Sequence, residues 1–297
     1  MWTAQKENAL RTGTIISFHS NFAIVKDDRE DLKTLCTLRG RFKLSKTKPM
    51  VGDHVEYMIT GDRGRIESIF PRTITLKKPR VTNIDTVVVV VSISSPDVQY
   101  STIDRIIAAV TLSKAEIILV LNKLDITPEG KIKDFRKTYS PYEPLFTSTT
   151  TGVGIDELKT KLKGRVSVFA GPSGVGKSSL LNRIFGMNLR TGRISEATNM
   201  GRHTTTSASL LELEEDGFVV DTPGFITVDF KDTIPLEVQE LFPEIKSASV
   251  MCAFDDCIHD AEPGCHVKEL VKSGKIPKSR YKSYLEILEE VRKGGLT

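Results

Sequence analysis

Gly171-Pro172-Ser173-Gly174-Val175-Gly176-Lys177-Ser178 lies between a strand-like run, Arg165 to Ala170, and a helix-like run, Lys177 to Phe185. The stretch fits G-x-x-x-x-G-K-[ST], and strand, loop and helix are the context in which that pattern grips phosphate. Glycines let backbone N–H groups converge on phosphate oxygens, and the helix N-terminus adds partial positive charge. The pattern assigns Lys177 to the β- and γ-phosphates and the Ser178 hydroxyl to Mg²⁺. With Ser179, the candidate phosphate-binding residues run from Gly171 to Ser179.

The phosphate loop does not name the base. Asn122-Lys123-Leu124-Asp125 does, at the end of the apolar run Glu116 to Leu121. A carboxylate only accepts hydrogen bonds, so Asp125 suits the N1–H and N2–H₂ donors of guanine. Adenine has no such donor pair on that edge. Asn122 can bond the other side of the base, and the Lys123 stem can cover the ring face. Asp221-Thr222-Pro223-Gly224 follows the short strand Phe218-Val219-Val220. It offers Asp221 to Mg²⁺ through a water, and the Gly224 N–H to the γ-phosphate.

Gly201-Arg202-His203-Thr204-Thr205-Thr206 occupies the interval in which GTPases carry a switch segment. Such loops are ordered by contacts to the γ-phosphate and Mg²⁺. Thr204 or Thr205 completes the Mg²⁺ shell on this reading; Thr205 is carried as the candidate. Phosphoryl transfer depends on positioning and charge neutralisation. Ras-like enzymes orient the attacking water with a glutamine after D-x-x-G, but here that position is Phe225. His203 is the nearest side chain that could accept a hydrogen bond from the water; the other source is a group from a partner.

The order of the pieces is permuted. N-K-x-D starts 49 residues before the phosphate loop, whereas Ras-like chains place it after. Domain termini often lie close together, so a chain can be rejoined and cut elsewhere without changing its core. Thr147-Ser148-Thr149 follows the strand-like Pro144-Leu145-Phe146 and fits the loop that backs guanine, through Ser148 and Thr149. The fold expected is a circularly permuted P-loop GTPase within a multidomain α/β chain.

Near the C-terminus, Cys252-x₄-Cys257-x-His259-x₅-Cys265 offers three thiolates and one imidazole within 14 residues. Cys₃His is a closed tetrahedral zinc set with no open position for a substrate water. His266 is a competing imidazole, and Cys36 reads as a small core residue. Zinc in this role stabilises a short domain with little apolar core of its own.

In these motifs the chain resembles the ribosome small-subunit-dependent GTPase A family, of the RsgA/YjeQ/YloQ type, over essentially its full length. The permuted order together with the Cys/His cluster carries the resemblance, and no motif position departs from the family's pattern. The resemblance implies hydrolysis of GTP to GDP and phosphate, stimulated by the small (30S) ribosomal subunit. It implies binding to 16S rRNA and a task in late maturation of that subunit. It also points to His203 in catalysis and supports the zinc site.

The flanks agree with such a partner. Residues 1–80 hold 16 Lys/Arg against 9 Asp/Glu, residues 81–265 hold 18 against 25, and residues 266–297 hold 8 against 4. Two basic ends thus frame an acidic middle, which is the electrostatic footprint of nucleic-acid contact. Five short β-patterned runs lie between about residues 10 and 70: Thr12 to Phe18, Phe22 to Lys26, Leu35 to Phe42, Asp53 to Ile59 and Arg65 to Ile69. They fit an OB-type barrel. Such barrels pair basic grooves with stacking aromatics. Phe18, Phe22, Phe42 and Tyr57 could stack on bases, but most aromatics in so small a barrel are core, and Arg39, Arg41, Lys43, Lys46 and Lys48 are the better candidates, for phosphate contacts.

The expected domains are a barrel over 1–74, the GTPase over 75–230 and a zinc-binding, partly helical domain over 231–297. Thr75 to Val81 reads as a linker. Val87 to Val91 reads as a strand buried on both faces, and Ser101-Thr102-Ile103-Asp104 as a capping box. Pro277 to Lys293 reads as a basic helix able to touch RNA. The chain has 297 residues, 39% hydrophobic and 27% charged, with no apolar run near the ~20 residues of a membrane helix. Met1 to Leu10 lacks the apolar core of a secretory signal, and four cysteines do not make a disulfide scaffold. A cytoplasmic monomer that binds GTP and GDP, with no membrane partner, is the expectation.

Overall fold

The computed structural model describes residues 9–19, 22–38, 42, 48–76, 79–186, 208–213, 216–221, 230 and 232–294. Strands β1 (Leu10–His19), β2 (Phe22–Asp27), β3 (Lys33–Leu38), β4 (His54–Thr60) and β5 (Arg63–Ile69) close into a barrel in the order β1-β2-β3-β5-β4. β1 closes on β4 antiparallel, and β3 pairs with β5 in parallel. Alternation along the strands sends Ile15, Ala23, Val25, Cys36, Val55, Tyr57 and Ile66 inward. Burial pushes the Cys36 thiol up to about 12, so it behaves as an inert core residue.

Tyr57 carries no stacking face to solvent. It is fully buried, and its hydroxyl donates to Asp27 Oδ2 at 2.6 Å. Burial alone would raise the Asp27 pKa. The Tyr57 hydroxyl, the N–H groups of Arg29 and Glu30, and the Arg11 guanidinium outweigh it and pull the pKa down to about 2. Phe18 and Phe42 pack against the same core, and Arg63 lies 5.4 Å from the Phe22 ring centroid. Of the basic candidates, Arg39, Arg41, Lys43 and Lys46 lie outside the described residues; Lys48 is exposed.

The expected linker is instead a small hairpin. β6 (Thr75–Leu76) pairs antiparallel with β7 (Val81–Thr82), because Leu76 and Val81 are apolar and buried. There follow β8 (Thr86–Val91), α1 (Tyr100–Ser113), β9 (Glu116–Leu121), α2 (Glu129–Thr138), β10 (Leu145–Phe146), α3 (Ile155–Leu162), β11 (Val166–Ala170), α4 (Lys177–Phe185), β12 (Ser209–Glu212) and β13 (Phe218–Asp221). Six of these strands form one sheet in the order β10-β9-β8-β11-β13-β12. β10 with β9 and β11 with β13 are parallel, and β12 is an antiparallel edge. All six residues of β8 are buried, which is why the valine run shows no alternation.

The capping-box expectation at Ser101 to Asp104 fails. The helix begins at Tyr100, its N-cap is Gln99, and no side chain caps it. Asp104 is fully buried and accepts from the Tyr139 hydroxyl at 2.8 Å and Arg280 Nη1 at 2.7 Å. A charge-assisted bond to a guanidinium outcompetes a capping bond at a solvated helix end.

The C-terminal segment adds α5 (Pro243–Ser249), α6 (His266–Lys272) and α7 (Lys278–Gly294). It has more core than expected. Phe230, Val238, Leu241, Phe242, Ile245, Val267, Tyr284, Ile287 and Leu288 are buried together with Ala108 of α1. The basic helix at Lys278–Gly294 forms as read, but Arg280 points into that core rather than outward. Among the described residues no helix is long and apolar enough to cross a membrane.

Candidate functional site

β11 delivers the chain to Gly171 at φ 141°, directly beneath β8: a Cβ there would lie 2.0 Å from the Val90 carbonyl oxygen. Gly176 has φ 101°, and a Cβ there would lie 2.3 Å from Asn122 Nδ2. No side chain fits at either position, so the loop's glycines follow from close approach of its neighbours. Ser173 and Gly174 are exposed, and Val175 is buried. Leu180 N–H donates to the Gly176 carbonyl at 2.9 Å as α4 starts, and Leu180, Leu181 and Ile184 anchor that helix in the core. Ser178 and Ser179 stand in its first turn. Lys177 is half-buried; its Nζ donates to Gly171 O at 2.8 Å and Pro172 O at 2.7 Å, and burial lowers its pKa.

The N-K-x-D segment meets this loop. Asn122 is fully buried; its Nδ2 donates to Val175 O at 2.9 Å, and its Oδ1 accepts from Thr147 Oγ1 at 3.0 Å. Both ends of the amide are engaged within the protein, so Asn122 ties the phosphate loop to the Thr147-Ser148-Thr149 loop. Leu124 N–H donates to Thr147 O at 3.0 Å, closing the same junction. Asp125 is exposed, with Oδ1 accepting from Ser148 Oγ at 2.6 Å. That hydroxyl is the main reason its pKa is lowered, which keeps the carboxylate ionised and acceptor-only. Lys123, at φ 64°, donates from Nζ to Ser95 O at 2.6 Å. Two stretches separated in the chain thus meet: one brings an ionised carboxylate and a lysine stem, the other a glycine cradle with its own lysine.

The cysteine cluster forms separately. The ligand atoms of Cys252, Cys257, His259 and Cys265 all lie within 4.8 Å of one another. Cys252, Cys257 and Cys265 Sγ are 3.6, 3.2 and 3.5 Å from His259 Nδ1, and Cys252 Sγ is 3.9 Å from Cys265 Sγ. Zn–S and Zn–N bond lengths give tetrahedral edges of about 3.8 Å for S···S and about 3.5 Å for S···N. The four donors therefore fit a tetrahedral cation. His259 Nε2 donates to Gln239 Oε1 at 3.0 Å, leaving Nδ1 with its lone pair toward the sulfurs. Burial keeps the imidazole neutral and pushes the Cys257 thiol up to about 12, a proton that a bound cation would displace. His266, the competing imidazole, instead faces Glu269 at 3.4 Å.

Comparison with known proteins matches residues 69–231 to the RsgA GTPase family and residues 12–66 to the RsgA N-terminal domain. The small ribosomal subunit biogenesis GTPase RsgA of Thermotoga neapolitana is 43% identical over 287 residues, covering 95% of this chain and 97% of the relative. The chain belongs to the RsgA GTPase family. The protein of the same description from Moorella thermoacetica is 42% identical, covering 94% of this chain and 97% of the relative. The crystal structure of YjeQ from Thermotoga maritima superposes with a TM-score of 0.82 at 40% identity, covering 95% of this chain and 99% of that one. YloQ, a circularly permuted GTPase, gives 0.82 at 29% identity and 98% coverage of both chains.

As an RsgA-family member the chain is a GTP-hydrolysing enzyme with a permuted GTPase fold. His203, Thr204, Thr205 and Gly224 lie outside the described residues. Asp221 ends β13, where its backbone pairs with Ser209. The site also uses residues that sequence reasoning passed over. Ser95 holds Lys123 through a backbone carbonyl, which no side-chain pattern can signal. Gln239 supports His259 from 20 residues away, again without a motif. Asp104 had a usable signal: it sits on the apolar stripe of α1, between Ile103 and Ile107, where a lone carboxylate demands a buried partner.

Proposed function

We propose that this enzyme hydrolyses GTP while bound to the small (30S) ribosomal subunit, acting in late maturation of that subunit as a cytoplasmic monomer. Asp125 reads the purine edge, with Ser148 and Thr149 backing the base and the Lys123 stem covering the ring. Gly171 to Ser179 cradle the phosphates, with Lys177 toward the β- and γ-phosphates. Ser178, Thr205 and Asp221 hold Mg²⁺, which supplies charge neutralisation at the phosphates when bound. The Gly224 N–H faces the γ-phosphate, and His203 or a ribosomal group orients the water. Cys252, Cys257, His259 and Cys265 hold one structural Zn²⁺. The barrel and the basic C-terminal surface bind 16S rRNA.

One observation supports the site reading most strongly. Asn122 Nδ2 bonds to Val175 O, so motifs 53 residues apart form one wall. The relatives' description as small ribosomal subunit biogenesis GTPases supports the partner and the task. A switch works only if the partner distinguishes the GTP state from the GDP state. Phosphate release measured with GTP and ATP, with and without purified 30S subunits, tests the whole reading. Slow release from GTP, strongly raised by 30S and absent with ATP, is the expected result. ATP turnover, or no response to 30S, defeats it.

Asp125→Asn tests the base assignment. It replaces one acceptor oxygen with a donor facing guanine's N–H groups. Hydrogen bonds to charged groups contribute about 1.5–3 kcal/mol each. Losing two weakens GTP binding by about 10²–10⁴-fold. Xanthosine triphosphate, which exchanges a donor for an acceptor, should become the preferred ligand in competition binding.

A further inference from the structure

The turn that follows β8 is strapped from two sides. Ile93 and Asp97 form an antiparallel bridge, and Val98 N–H donates to Ser92 O at 3.0 Å. Lys131, near the start of α2, donates from Nζ to Ile93 O at 2.8 Å and to Asp97 Oδ2 at 3.0 Å. At its apex the turn meets the nucleotide site twice. Ser95 O accepts from Lys123 Nζ, and Pro96 Cδ lies 3.5 Å from where a Cβ on Gly174 would stand. The same turn therefore fixes the head of the lysine assigned to the base and flanks the exposed arm of the phosphate loop.

We propose that Lys131 is a positioning residue for guanine-nucleotide binding: it clamps the Ile93-to-Asp97 turn, which in turn holds the Lys123 stem in place and walls the phosphate loop. The proposal rests on the nucleotide-site reading above. The division of labour follows from exposure. Lys131 and Asp97 side chains are 45% and 57% exposed, so their ion pair alone contributes little. The bond to the Ile93 carbonyl is the one that closes the turn. Lys123 is pre-ordered by this arrangement, and a pre-ordered group loses less entropy when the ligand arrives. Residence time should respond more than the chemical step. The stem covers the ring face and ignores the substituents on the edge, so all purine nucleotides should respond alike.

The test compares Lys131→Met, Lys131→Arg, Asp97→Asn and Asp125→Asn in the full chain. Dissociation of fluorescent GDP and IDP is followed alongside kcat at saturating GTP and thermal midpoint. Lys131→Met is expected to speed dissociation about 5- to 20-fold, by the same factor for both nucleotides, with kcat and midpoint near wild type. Lys131→Arg, which can still donate to both oxygens, should return the rate to within about twofold, and Asp97→Asn should have the smaller effect. Dissociation within twofold of wild type in Lys131→Met overturns the proposal. So does acceleration that arrives with a parallel fall in midpoint and kcat, because that marks a general structural role. Asp125→Asn separates the two levels. If it shifts base preference while Lys131→Met does nothing, the site stands and the clamp falls; if it leaves base preference unchanged, both fall.

Discussion

Replacing Arg280 with alanine is expected to destabilise the folded protein by about 3–5 kcal/mol, the cost of stranding buried charge. Arg280 is fully buried on α7. Nη1 donates to Asp104 Oδ1 at 2.7 Å; Nε and Nη2 donate to Glu244 Oε1 and Oε2 at 2.6 and 3.2 Å. The guanidinium carbon lies 4.7 Å from the Phe242 ring centroid and 5.5 Å from that of Tyr139. Burial disfavours the charge, but Asp104 and Glu244 outweigh it and hold the guanidinium protonated. The intact group need not be more stable than a well-packed apolar replacement. Its removal is costly because Asp104 has no exposure to water.

The pH dependence follows. Desolvation already raises the folded-state pKa of Asp104 against the pull of Arg280, and loss of Arg280 raises it further, so the penalty is largest at neutral pH and shrinks as pH falls toward about 4. Adding Asp104→Asn should recover part of the loss at pH 7. Denaturant unfolding of both variants at pH 7 and near pH 4 checks this. An Arg280→Ala protein as stable as wild type at pH 7 contradicts it.

Stripping the zinc proposed for the Cys252, Cys257, His259 and Cys265 cluster is expected to have the largest effect of all. Structural zinc contributes about 10–16 kcal/mol of apparent binding free energy at neutral pH, which becomes folding free energy for the segment it ties. Three donors, Cys257, His259 and Cys265, are buried and leave little room to relax. Elemental analysis should find one zinc per chain, lost on stringent chelation and in Cys257→Ser. Hydrogen exchange should then show residues 250–265 opening. The core around Phe242, Tyr284 and Leu288 has its own apolar contacts and the Arg280 bridge. It should stay protected longer than the cysteine loop. Gln239→Ala should weaken the metal by about 10- to 100-fold, as loss of an outer partner of a ligating histidine does. A cysteine loop equally protected with and without metal defeats the structural role.

The barrel and the sheet were legible because their signals are local and periodic. Alternating burial in Phe22–Asp27 and His54–Thr60, and the unbroken valines of Thr86–Val91, follow from one strand's two faces. Misreadings arose where a residue's partner was remote. Ser101 to Asp104 resembles a capping box within four residues, but Asp104 answers to Arg280, 176 residues away. Thr75 to Val81 resembles a linker because its two strands have only two residues each, too short to show a period.

Sequence by itself determined the permuted order, and it marked the glycine-rich loop, the Asn122-to-Asp125 segment and the four clustered Cys and His residues. In each of these the signal is written in short runs of fixed spacing, or in the order of those runs along the chain. Tertiary structure alone decided that Asn122 braces two loops, that Lys131 clamps the turn above them, and that Arg280 is a core residue rather than an RNA contact. Those roles depend on carbonyls and carboxylates brought alongside by packing. A side chain's nearest partner in space carries no mark in the linear order of the chain.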